Sequence, residues 1–337
     1  MRNLFVIASL TLLSHCAFAI QCGDTVSGTV TLGADMVCNN INGLNVGADN
    51  TTINLNGHTI SCIGPGFNGS CQWVDGVSGL PSRAGIYSSN KKGIKVVGPG
   101  TISGFLYDVY IYGGTGHTVS GLTLTGPVTK LVGNHRGLAI GVAVNNAVCG
   151  PVNPLTGVAG YSANVYSNTA QNQSQGISIS DTSCAQIIRN TASNNTSASG
   201  GSHGILVSGG NHNTIMGNTA SLNGLNRAFD GGIRITYSST NNIINSTDSN
   251  SVSSNIVQSN CGSGITVGHH STNNSIYTNT VKFNGVSAQG GSCDVPAAGA
   301  FHDLAEEVSG QGNIWNANNI CHTQTANIPA GVCNPNE

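Results

Sequence analysis

Charge is scarce in this 337-residue chain: 7% of residues are Asp, Glu, Lys or Arg, and the formal net charge is −2. No basic run is present, which argues against nucleic acid as a partner, and no basic amphipathic segment marks a membrane surface. Low charge accompanies disorder when apolar residues are scarce as well, but 38% of this chain is hydrophobic and those residues recur periodically. Cys-x-x-Cys does not occur, so a thiolate zinc site has no footing. No segment of helical length carries a helical period. The apolar run near the N-terminus is shorter than the roughly 20 residues needed to span a membrane. What takes the place of charge is Asn, Ser, Thr and Gly, with 47 glycines. Such a surface interacts through neutral hydrogen bonds, as a carbohydrate partner permits.

Met1-Arg2-Asn3 gives a short basic start, Leu4 to Leu13 is mostly apolar, and Ala17-Phe18-Ala19 has the form of a cleavage site. Residues 1–19 are therefore read as a secretory signal, and 20–337 as one exported domain, extracellular or periplasmic, free of the membrane after cleavage. Of 11 cysteines, Cys16 falls in the signal; the even remainder in an exported chain points to disulfides. Nearest-neighbour pairs such as Cys22 with Cys38 are expected, although the sequence leaves the connectivity open.

The stretch from Gly200 to Thr236 organises the rest. Gly204-Ile205-Leu206-Val207 and Gly232-Ile233-Arg234-Ile235 share one grammar: glycine, then apolar residues at the next position and two later. That alternation is a half-buried strand. It recurs at Gly43, Gly85, Gly137, Gly176 and Gly264, and a second beat, Asn-x-Ile-x-x-Asn, runs from Asn213 to Asn218 and from Asn274 to Asn279. Recurrence at this interval means stacked repeats. The pattern resembles the right-handed parallel β-helix of the pectate-lyase-like superfamily over nearly all of Gly23 to Cys321. The expected class is thus all-β, a right-handed parallel β-helix solenoid with terminal caps. Stacked Asn side chains at the turns would exchange amide hydrogen bonds between rungs. Two loops, Gly64 to Ser82 and Val148 to Tyr161, interrupt rungs, and in this superfamily such loops often wall the binding groove.

Placing Gly137, Gly176, Gly204, Gly232 and Gly264 in register aligns Arg136, Gln175 and His203 just before the glycine. It puts Arg234 two residues after it, and Asp181, Tyr237 and His269 five after. With Asp230, these would share one outward face. Ser202-His203-Gly204 and Arg234-Ile235-Thr236 are similar to motifs of polygalacturonases. Asn134-His135-Arg136 and Ser174-Gln175 stand where that family has carboxylates, and Thr236 stands where it has lysine. The usual two-carboxylate hydrolysis therefore lacks its acids.

The superfamily also contains lyases and C5-epimerases, which remove the proton beside a uronate carboxylate. On that resemblance, Arg136 and Arg234 would neutralise the carboxylate, His203 or His269 would act as base and Tyr237 as acid. Asp181 and Asp230 would orient an arginine or bind a metal, and Gln175 and Asn134 would line the substrate path. Calcium is the cofactor that this resemblance allows; polysaccharide is the expected partner and a monomer the expected state. The rival readings are a non-catalytic glycan-binding adhesin and a hydrolase of polygalacturonase type. Phe301-His302-Asp303 is expected to lie too far along the axis to join the site. An ice-binding surface is set aside, because no regular Thr-x-Thr ladder is evident in the repeats.

Overall fold

A computed structural model describes residues 20–64, 71, 73–74, 83–126, 137–196, 201–224, 231–236, 238–240, 243–245, 247–248, 250–284, 302–307, 312–316, 318–321 and 325–334. The expected signal, residues 1–19, lies outside them. Three long parallel sheets, of 11, 10 and 11 strands, are built in rotation. One turn of chain lays Ala84–Ser89 in the first sheet, Lys95–Val97 in the second and Thr101–Ser103 in the third. The next turn sets Tyr107–Tyr112, His117–Ser120 and Thr123–Thr125 directly against them. No α-helix occurs among the described residues. This is the right-handed parallel β-helix that the repeats imply.

The alternating apolar positions form continuous inward columns. Ile86, Val109, Val142, Ile177, Ile205, Ile233, Ile265 and Leu304 stack through the first sheet, and all are buried. Each such side chain contributes about 1.5–3 kcal/mol relative to exposure. One rung of the expected alignment is displaced. Strand Ile140–Asn145 pairs with Gln175–Ser180 through Ile140↔Gln175 and Val142↔Ile177, so Gly141, and not Gly137, matches Gly176. Ile140 therefore occupies the position assigned to Arg136, which itself lies outside the described residues.

Asparagine ladders hold the corners. Asn195, Asn223, Asn260 and Asn284 stand on successive rungs, each Nδ2 donating to the next Oδ1 at 2.8–3.0 Å. The backbone N–H of each donates to the same oxygen, at 2.9–3.1 Å. Buried polar groups require such partners. The ladder explains the glycines: a Cβ on Gly204 would lie 2.8 Å from Asn223 Nδ2 and 2.8 Å from Gly232 O. Where the glycine column is interrupted, aspartate ends the ladder. Asp303 Oδ1 accepts from Asn284 N–H at 3.1 Å and from Nδ2 at 2.9 Å. Gln173 Nε2 donates to Asp108 Oδ2 at 2.6 Å at the other end.

Cys22–Cys38, Cys62–Cys71, Cys149–Cys184 and Cys321–Cys333 are disulfide-bonded, all nearest-neighbour pairs as expected. Chain order concentrates the long insertions at the two corners beside the first sheet. Between the third and first sheets lie residues 64–83, 126–139 and 283–303; between the first and second lie 146–162 and 237–250. Two insertions from the same corner meet, Gly137–Leu138 pairing antiparallel with Trp73–Val74. The corner between the second and third sheets is turned by two residues at Ser167-Asn168, Arg189-Asn190 and Gly217-Asn218. No helix among the described residues is long and apolar enough to cross a membrane.

Candidate active site on the first sheet

The insertions direct attention to the first sheet, where two columns of strand partners are relevant. Gln175, His203, Gly231 and Ser263 form one; Ser178, Leu206, Arg234 and Thr266 form the other. His203 and Arg234 sit on neighbouring rungs, three positions apart in register, and close enough for the guanidinium charge to act on the imidazole. His203 is buried, and burial, reinforced by the Arg234 charge, pushes its imidazole down from 6.5 to about 3. It is therefore neutral at physiological pH, and burial and the Arg234 charge oppose its protonation unless a negative charge forms beside it.

Among the described residues, His203 Nδ1 has no hydrogen-bond partner, and the same holds for Gln175 Oε1 and His302 Nδ1. The opposite end of the Gln175 amide is fixed by donation from Nε2 to Gly201 O at 3.1 Å. Buried polar atoms without partners are rare and mark places where a ligand or water completes the structure.

Arg234 is held by a residue that the sequence did not single out. Its Nη2 lies 2.5 Å from Glu307 Oε1, and the two side chains are 20% and 5% exposed. Glu307 Oε2 accepts the His269 backbone N–H at 3.1 Å, while the more exposed His269 ring places Nε2 3.8 Å from the same oxygen. Arg234, Glu307 and His269 therefore form one cluster. The strand Leu304–Glu306 packs directly on Ser263–Val267, which corrects the expectation that the rung of His302 and Asp303 is too distant. The only sequence signal for Glu307 was an acidic residue in a chain with 13 of them.

Asp181 has a different local role. Its φ of +48° places it in a column of left-handed turn residues with Asn90, Gly113, Asn146 and Gly209. Asp and Asn tolerate that conformation better than most side chains. Asn134, Arg136, Asp230 and Tyr237 lie outside the described residues.

The fold defines the class: a right-handed parallel β-helix. A family model described as periplasmic copper-binding protein (NosD) matches residues 74–294, and the chain belongs to that family. No curated protein matches the sequence. Among solved structures, the Dettilon tailspike protein (gp208) aligns with a TM-score of 0.52 and 17% identity, over 88% of this chain and 54% of that one. The chain thus spans about half the length of that tailspike. A double mutant of the periplasmic alginate epimerase AlgG aligns with a TM-score of 0.51 and 12% identity, over 90% of this chain and 74% of the other. At these identities the likeness is one of fold.

The family description implies copper, for which thiolate, thioether and imidazole are suitable ligands. The described residues do not fit such a centre. The described cysteines are disulfide-bonded, Met36 is buried among core side chains and Met216 points outward from the second sheet. Among the described residues no three His, Cys, Asp or Glu side chains converge as a cation site requires.

Proposed function

We propose that this is an exported, monomeric carbohydrate-active protein that binds a uronate-containing polysaccharide on the outer face of the first sheet and there removes the proton at C5. The observation carrying this reading is the neutral, buried His203 imidazole beside the Arg234 guanidinium. Arg234 pairs with the C6 carboxylate and withdraws its charge, which makes the neighbouring C5 proton more acidic. His203 takes that proton as general base; the positive charge it acquires is stabilised by the developing negative charge on the uronate. In elimination, the C5–H electrons form the C4=C5 bond, the C4–O bond breaks, and an acid protonates the leaving oxygen. In epimerisation, a proton returns to C5 on the opposite face. Tyr237, Asp230, Arg136 and Asn134 are proposed to complete the substrate path, with Tyr237 as the acid. A periplasmic or extracellular location agrees with the family description and the disulfides.

One observation favours a second, binding-only reading: Glu307 already neutralises Arg234, so a substrate carboxylate has to displace or share that partner. Deuterium incorporation at C5 of alginate and polygalacturonate in heavy water, followed by NMR alongside absorbance near 235 nm, tests the proposal. Incorporation that disappears in His203→Ala and Arg234→Ala supports it, with new absorbance marking elimination. Binding without incorporation leaves the glycan-binding reading and removes the enzymatic one.

A further inference from the structure

The third sheet carries a feature that the repeat intervals conceal. Thr59, Thr101, Thr123, Thr169, Thr191 and Thr219 are consecutive partners in one outward column. Two residues along each strand runs a second outward column: Ser61, Ser103, Thr125, Gln171, Ser193 and Ser221. A Thr-x-Ser array, with Thr125 and Gln171 in place of serine on two rungs, therefore runs through the sheet; it is not the regular Thr-x-Thr ladder whose absence the sequence indicated. All twelve side chains are half-exposed, and neither column contains a charged or aromatic residue from Thr59 to Ser221.

Spacing makes this a two-dimensional lattice. Rungs repeat at about 4.8 Å and positions two residues apart on a strand at about 6.6–6.8 Å, so the array covers about 24 Å along the axis. Threonine is favoured on any sheet, and Thr–Thr pairs stabilise neighbouring strands. The other two sheets show what that preference yields without a further constraint. The corresponding second-sheet column reads Thr52, Lys95, Thr118, Asn164, Gln186, Thr214 and Ser251. The first-sheet column is equally mixed, with Tyr110, Ala143, Ser178, Leu206 and Arg234.

We infer that the outer face of the third sheet is an ice-binding surface, its ligand being the ordered water of an ice crystal plane. The hydroxyl of each threonine supplies a hydrogen bond, and its methyl holds neighbouring water in a cage. Both repeats are regular along their own directions, as docking to a crystal plane requires. The chemistry distinguishes this occupant from a glycan: the face offers no charge for a uronate and no aromatic ring for a sugar to stack on, whereas an ice plane needs neither. Among the described residues, no side-chain hydrogen bond from Thr101, Thr123, Thr169, Thr191 or Thr219 competes for these hydroxyls.

The test is uptake of fluorescently labelled full-length exported protein into a slowly growing ice hemisphere, with inhibition of recrystallisation measured in parallel. Wild type and a second-sheet variant, Thr214→Lys, are expected to enter the ice. Thr191→Lys and Ser193→Lys, which raise a charged side chain within the array, are expected to fall to the level of a non-binding control while melting as wild type does. Exclusion of the wild type from ice overturns the inference, as does undiminished uptake by both array variants. So does a wild-type dimer that is excluded from ice and becomes monomeric in Thr191→Lys, which would make the face a self-association surface.

Discussion

Glu307 Oε1 and Arg234 Nη2 lie 2.5 Å apart across two rungs of the first sheet, and 73 residues separate them in sequence. Both side chains are largely withdrawn from water, so the pair is more than a surface ion pair, for which the usual worth is near zero to 1 kcal/mol. Glu307→Ala leaves the guanidinium without this carboxylate and is expected to cost about 1–3 kcal/mol, read as a lowered unfolding midpoint. Glu307→Gln keeps the shape and removes the competing charge. Its expected effect is tighter binding of uronate oligosaccharides with no change for neutral ones, measured by calorimetry. Equal weakening for both would make the pair structural and separate it from recognition.

The ladder ending at Asp303 gives a prediction about stability alone. Asp303 Oδ1 takes two donors from Asn284. Asp303→Ala removes that acceptor at a buried site and is expected to cost about 1–3 kcal/mol. Asp303→Asn preserves an amide oxygen there and continues the chemistry of the rungs below, so a near-wild-type midpoint is expected in urea. If alanine and asparagine are equally destabilising, the negative charge rather than the acceptor matters at this corner.

The same ladders show what was legible in the sequence. The glycine-apolar phrase and the Asn beat specified a β-helix because each has one place in a rung: the amides occupy the volume that a Cβ on glycine would need. Register was harder. Both Gly137-Leu138-Ala139-Ile140 and Gly141-Val142-Ala143-Val144 satisfy the phrase, and only strand pairing selects the second. The threonine column has no fixed period in the sequence, because successive Asn partners are separated by 22, 28, 37 or 24 residues as insertions vary in length. A fixed period therefore fails although the spatial repeat is constant. Of the candidate site, the placement of His203 and Arg234 on neighbouring rungs followed from repeat position. Glu307 did not, because its meeting with Arg234 depends on a long insertion between rungs.

The Val148–Tyr161 insertion tests whether a corner segment contributes stability. It is tied to the next rung by Cys149–Cys184, with a sequence separation of 35, and its tip exposes Val152, Leu155 and Val158. On the chain-entropy argument a closed loop of that size stabilises by about 3–4 kcal/mol. The double variant Cys149→Ser/Cys184→Ser is expected to lose much of that in a thermal melt. Its β-sheet circular dichroism should be retained at low temperature, because the rung columns on both sides do not depend on the bridge. Loss of the β signal itself would show that the insertion is part of the core.

Acid stability should carry the signature of His203. Its folded pKa is depressed to about 3 against 6.5 for the free side chain, chiefly by burial and then by Arg234. Between those values the unfolded chain binds a proton that the folded chain does not, so stability falls as pH drops from about 6.5 towards 3 and is fully present above that window. At 1.36 kcal/mol per unit, the upper bound on this contribution is about 4–5 kcal/mol. Asp108 acts in the opposite sense: burial raises its carboxyl well above the ordinary range, outweighing the hydrogen bond from Gln173. Its folded form retains a proton that the unfolded chain has released, so it favours the folded state as pH falls. The two effects overlap, and one profile cannot separate them. Urea midpoints of wild type, His203→Gln and Asp108→Asn across pH 3 to 7 can do so. His203→Gln should flatten the acid-side decline, while Asp108→Asn, which removes the group that takes up its proton more readily in the folded chain, should steepen it. An unchanged slope in His203→Gln would mean that the imidazole is not held neutral on this face, and with it the proposed base at C5 would lose its physical ground.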